Sequence, residues 1–173
     1  MPIHSSLRSR NFWYVMLINL LVSTFVYMLM PLWPSLMDGQ VPGSFHQSGW
    51  TMMLFCVGLI LPGSISSYLL DKYRRKKVCF WAILSLVAVS LVATLDIPVW
   101  LVALCRVAQG AAFALFHISL GSTILIDITV SERRDMAAYI YFWISRFALG
   151  LGPALGIVAL QPKYWMYLKY LPV

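Results

Sequence analysis

Apolar residues run through the chain in five long blocks, at residues 11–33, 50–70, 78–95, 98–126 and 137–160, separated by short polar or charged connections. None of the blocks alternates apolar and polar positions with period two, so strands are not indicated. A bilayer core about 30 Å thick is crossed by about 20 residues of helix. A backbone surrounded by lipid must satisfy its own hydrogen bonds, which an apolar run without strand patterning does as a helix. The pattern predicts an all-α integral membrane protein with one transmembrane domain of five helices over residues 11–160. Residues 1–10 form a short amino-terminal lead. Residues 161–173, with Lys163, Tyr164, Trp165, Tyr167, Lys169 and Tyr170, read as an interfacial tail or the start of an incomplete sixth helix.

Composition sharpens this reading. Of 173 residues 61% are apolar and only 11% charged. A soluble domain of this length would leave much of that apolar surface exposed in patches large enough to aggregate, whereas lipid solvates it. The first block is too long for the core of a signal peptide and has no small-residue cleavage pattern after it, so it is read as a retained span. Cys56, Cys79 and Cys105 sit within or at the ends of apolar blocks without metal-ligand spacing, and are read as packing residues. No metal site and no cofactor motif is expected.

The formal charge of +7 raises nucleic acid as a partner. The basic residues, however, gather in short segments beside apolar blocks rather than along a polar face, which points to a membrane surface and away from nucleic acid. Arg8 and Arg10 precede the first block. Lys72 and Arg74 to Lys77 fill the second connection, and Arg133 and Arg134 the fourth. The first connection, residues 38–47, and the third, around Asp96, hold neither Lys nor Arg. Because Lys and Arg in short loops stay on the cytoplasmic side, the amino terminus is expected inside, in a multi-pass protein of a cell inner (plasma) membrane.

Four local motifs then come in order. The second connection reads Ser67-Tyr-Leu-Leu-Asp71-Lys72-Tyr-Arg74-Arg75-Lys76-Lys77. The fourth block contains Arg106-Val-Ala-Gln109-Gly110, followed by His117 three turns on. The fourth connection runs from Asp127 to Glu132-Arg133-Arg134-Asp135. The fifth block holds Gly150-Leu-Gly152-Pro153-Ala-Leu-Gly156. In this order and in these spans the motifs resemble the signatures of the major facilitator superfamily. Asp71, Lys72, Arg75 and Lys76 fall on the charged positions of its first loop, while Ser67 and Arg74 stand where that loop has glycine.

The resemblance covers nearly the whole chain. It implies the amino-terminal half of a secondary transporter, in which two six-helix halves rock about a central cavity to move a small-molecule solute. It also implies an inside latch built from Asp71, Lys72, Arg75, Lys76 and Asp127. Gly152, Pro153 and Gly156 would give a bendable segment that packs tightly against the other half. With five spans the chain is expected to be partial and inactive alone, its partner a missing carboxy-terminal half or a second copy.

An Arg at mid-span costs about 3 kcal/mol on the insertion scale, so Arg106 and Arg146 are expected to face a cavity or a partner. Arg106 also admits a second reading, a charge reaching for the outer interface. Gln109, His117 and Asn19 complete the candidate cavity set. His117 is read either as a proton relay or as a hydrogen-bonded core residue, and Asn19 either as cavity-facing or as bonded to a neighbouring helix. Gly110 is read as a point of close helix approach. No nucleotide-binding loop and no hydrolase motif competes with transport. The alternative is a non-transporting membrane protein that binds or regulates a partner through its helices. Intramembrane arginines argue against a purely structural scaffold.

Overall fold

The computed structural model describes residues 9–38, 45–92 and 98–159. The expected interfacial tail 161–173, Arg8, most of the first connection and Asp96 lie outside these residues. Six α-helices follow one another: α1 (Arg10–Asp38), α2 (Phe45–Ile60), α3 (Gly63–Lys72), α4 (Arg75–Val92), α5 (Val99–Ser122) and α6 (Arg134–Ala159). Among the described residues there is no strand. The all-α architecture read from the sequence is the architecture observed.

α2 and α3 together occupy the block expected as one straight span, and here the structure departs from the expectation. The axes of Gly49–Ile60 and Ile65–Lys72 differ by 53°. Pro62 accounts for the break, because its ring removes an N–H from the helical ladder and crowds the preceding turn. The Pro62 carbonyl then accepts bonds from Ile65 N at 3.1 Å and Ser66 N at 2.7 Å, restarting the helix.

By length and composition three helical runs can cross a membrane: Arg10–Leu32, Trp100–Ile128 and Ser131–Ala159. The bent α2–α3 pair makes a fourth. α4 has 18 residues but opens on Arg75, Lys76 and Lys77, which shortens its apolar length. The structure thus shows five rods, of which α4 is the shortest and most basic at its start.

α5 is the centre of the bundle. It packs against α2 on one side and α4 on another, while α1 packs along α6. Phe12, Met16, Phe55, Leu86, Phe113, Phe116, Leu120, Ile124 and Ala137 form a continuous core. The outer faces carry Trp13, Leu17, Leu21, Phe80, Trp81, Leu91, Trp143 and Phe147, all exposed. A bundle with an apolar periphery of this kind is solvated by lipid chains, and the protein is a membrane protein.

Two seams depend on glycine. A Cβ built on Gly110 of α5 would lie 3.0 Å from the Gly58 Cα of α2, and one on Gly58 would reach the Ala111 backbone nitrogen at 3.0 Å. Along α6, a Cβ on Gly152 would meet Tyr27 Cβ at 2.5 Å and Met28 N at 2.9 Å, and one on Gly156 would meet Pro31 Cγ at 2.7 Å. Gly152 and Gly156 of α6 therefore pack against α1 of the same bundle. Close approach at these points maximises dispersion contacts where no hydrophobic force separates helix from lipid. Pro153 sits inside α6, which continues as one helix to Ala159.

Candidate functional site

The intramembrane polar residues fall into two clusters on opposite sides of α5. The first is closed. Arg106 is 2% exposed, and its Nη1 donates to Gln109 Oε1 at 2.6 Å, one turn along the same helix. Its Nε donates to the Thr51 carbonyl of α2 at 3.4 Å, and the guanidinium lies 5.4 Å from the centre of the Phe55 ring. Gln109 Nε2 donates to Ser90 Oγ of α4 at 2.8 Å, and Ser90 Oγ donates in turn to the Leu86 carbonyl at 2.7 Å. The cluster ties α2, α4 and α5 together through buried polar groups.

Arg106 and Gln109, offered to a cavity by the sequence, are 2% and 1% exposed here. Both are turned into the three-helix contact, because Gly58 and Gly110 let α2 and α5 close over them.

The second cluster is open. Asn19 Nδ2 of α1 donates to Ser145 Oγ of α6 at 2.9 Å and lies 3.4 Å from the Tyr141 carbonyl. Ser23 Oγ donates to Asn19 Oδ1 at 3.2 Å and stands 3.4 Å from His117 Nε2. The other ring nitrogen, His117 Nδ1, shares a 2.6 Å hydrogen bond with the Tyr141 hydroxyl. Asn19 is fully buried and bridges α1 to α6.

His117, Tyr141 and Ser145 form the polar part of the wall of a cavity of about 550 Å³ between α1, α2, α5 and α6. The rest of the wall includes Tyr27, Leu59, Phe113, Gly121 and Phe142. His117 meets Phe113 edge to face, with centroids 4.5 Å apart, and Tyr27 meets Phe113 at 5.7 Å in the same manner. An opening of this size accommodates a small organic molecule. Ser23, Tyr141 and Ser145 were not singled out from the sequence, although Ser23 stands four residues after Asn19, and Tyr141 and Ser145 four apart on α6. That spacing puts each pair on one helix face.

Arg146 is exposed and follows Phe142 of the cavity wall by one helical turn. Among the described residues it makes no ion pair or hydrogen bond.

At the end of the α5 rod, residues Thr123–Ile128 widen into a π-helical turn, closed by Thr129 N donating to the Ile124 carbonyl at 3.1 Å. The wider turn carries Asp127 toward α4, where Arg75 Nη1 donates to Asp127 Oδ1 at 2.5 Å. Lys72 donates to the Tyr68 hydroxyl at 2.9 Å and lies 5.8 Å from the Tyr73 ring centre. Asp71 and Lys76 are exposed and take no part in an ion pair among the described residues. Of the five residues expected in the latch, the structure joins Arg75 and Asp127.

Cys79 and Cys105 are buried and Cys56 exposed, all as free thiols. Among the described residues no group of three or more His, Cys, Asp or Glu is arranged to hold a metal ion. A family model described as Major Facilitator Superfamily matches residues 15–170. No curated protein and no solved structure matches the chain.

Proposed function

Because the chain belongs to the Major Facilitator Superfamily and so serves membrane transport, we propose that it contributes one wall of an alternating-access pathway for a small solute. The observation that supports this most is the cavity between α1, α2, α5 and α6. It combines an apolar, aromatic wall with His117, Tyr141 and Ser145, the small number of placed polar groups that a binding site requires.

In this reading transport is coupled to protons. Asp71, Asp127, Glu132 and Asp135 are all exposed, so His117 is the titratable side chain on the cavity wall that can take up and release a proton. Its partners Tyr141 and Ser23 belong to α6 and α1, so a change in its charge acts on the contact between three helices. Arg75 and Asp127 hold the cytoplasmic ends of α4 and α5 together in the state described. Breaking that pair accompanies the opposite-facing state.

The amino terminus lies in the cytoplasm of a cell with this protein in its inner (plasma) membrane, as the basic connections favour. The cavity is completed by a carboxy-terminal half or a second copy, and the chain alone carries no flux. Arg146, which makes no ion pair or hydrogen bond among the described residues, is the contact to that second body or to solute.

The test is labelling of a Ser145→Cys variant, in a background with Cys56, Cys79 and Cys105 replaced, by a membrane-impermeant maleimide. With the completing half present, alternating access predicts reaction from the cytoplasmic side and, in a separate preparation, from the opposite side. Labelling confined to one side under every condition would favour the alternative, a non-transporting partner protein.

A further inference from the structure

The chemistry of the cavity wall is more specific than its size. Tyr27, Phe113, His117, Tyr141 and Phe142 surround about 550 Å³ with five aromatic rings contributed by three helices. Phe113 offers edges and face at once, since Tyr27 and His117 approach it nearly perpendicularly, at interplanar angles of 82° and 88°. Phe113 and Tyr141 are buried behind the wall, while Tyr27, His117 and Phe142 keep accessible ring surface and match a planar guest, which gains offset-stacked and edge-to-face contacts that a saturated ring cannot make. The polar groups of the wall, His117, Tyr141 and Ser145, are hydrogen-bonding partners, and their bonds to Asn19 and to one another fix their positions.

A charge stands one helical turn along α6 from the cavity wall. Arg146 follows Phe142 by four residues on α6, so the two side chains are neighbours about 5–6 Å apart at Cβ on the same flank of the helix. Both are exposed, Phe142 at 60%. A cation left in this position at mid-span is costly unless an anion or a polar vestibule meets it. No described carboxylate does so.

Resting on the transport reading above, we propose that the solute is an aromatic monocarboxylate, its ring held among Tyr27, His117 and Phe142 and its carboxylate by Arg146. The bidentate geometry of guanidinium and carboxylate then orients the ring into the cavity.

The test is equilibrium dialysis of the full chain in detergent against three probes: benzoate, cyclohexanecarboxylate and benzyl alcohol. Benzoate is expected to bind about tenfold more tightly than cyclohexanecarboxylate, the upper end of what ring contacts contribute. Arg146→Gln should remove the advantage of benzoate over benzyl alcohol and leave benzyl alcohol binding unchanged. Phe142→Leu should narrow the gap between benzoate and cyclohexanecarboxylate. Both substituted side chains are exposed, and size-exclusion chromatography verifies that each variant remains monodisperse. Equal affinities for the two acids, an unaffected benzoate preference in Arg146→Gln, or no binding by monodisperse protein would each overturn the assignment. Two-sided labelling of Ser145→Cys together with any of these results would remove the aromatic-acid assignment and leave alternating access standing.

Discussion

Gly58 of α2 and Gly110 of α5 face each other so closely that a methyl group on either would strike the backbone of the opposite helix. The contact seals the Arg106 cluster from the bilayer, because it lets α2 come near enough for the Thr51 carbonyl and the Phe55 ring to cover the guanidinium.

Replacing either glycine by alanine should destabilise the bundle by about 1–3 kcal/mol, the usual range for forcing volume into a packed interface. Gly150→Ala provides the contrast, since a Cβ there meets nothing within 4 Å. It is expected to be neutral or to stabilise α6 by up to about 1 kcal/mol through helix propensity. Thermal unfolding of the detergent-solubilised protein distinguishes the two classes, and equal melting of Gly110→Ala and Gly150→Ala would refute the close contact.

Gln109→Leu should cost about 1–3 kcal/mol, because it leaves a donor of buried Arg106 and the Ser90 hydroxyl without their shared partner. Arg106→Ala should cost at least as much, through lost packing on Phe55 as well as lost bonds. Unfolding titrations in mixed micelles measure both. A fully stable Arg106→Ala protein that no longer binds solute would return Arg106 to the cavity.

The Asn19–Ser145 bond joins α1 to α6 beside the cavity. A double-mutant cycle with Asn19→Ala and Ser145→Ala is expected to give a coupling of about 0.6 kcal/mol, the average for interhelical hydrogen bonds in a membrane. Additive losses would show that the two side chains act independently.

Arg75 and Asp127 are partly exposed, at 28% and 41% of their side chains, so their pair should contribute less than about 1 kcal/mol to stability. Its effect is expected on conformation. Arg75→Ala should raise cytoplasmic labelling of Ser145→Cys with little change in unfolding temperature, and exchanging the two residues should restore the original rate. A large loss of stability with unchanged labelling would make the pair a structural tie.

Neutralising Lys72, Arg74, Arg75, Lys76 and Lys77 together should scramble the orientation of the spans. Reporter fusions to this connection read the outcome directly, and a reporter still found only on the cytoplasmic side would show that Arg133 and Arg134 suffice.

The sequence by itself determined the solvent of this protein and the nature of its elements. Apolar blocks about 20 residues long leave a backbone only the helix, and that constraint is local. The signatures around Arg75, Arg106 and Gly152 were legible for the same reason, since each is a short run whose spacing shows on the page. Gly110 as a point of close approach was legible too. Its partner Gly58 was not, because nothing within α2 shows which face meets α5. Pro62 gave a local sign of the bend, yet the block around it stayed apolar and read as one span.

Only the tertiary structure decided which way each polar side chain turns. Arg106 and His117 lie on the same helix, eleven residues apart, and sequence spacing offered both to the cavity. Packing of α2 and α4 buries the first, while a cavity walled by α1, α2, α5 and α6 lies beside the second. A polar residue in a membrane helix must find partners, and those partners, Ser90, Thr51, Tyr141 and Ser145, come from segments distant in sequence. Their identity follows from which helix faces meet in the folded bundle.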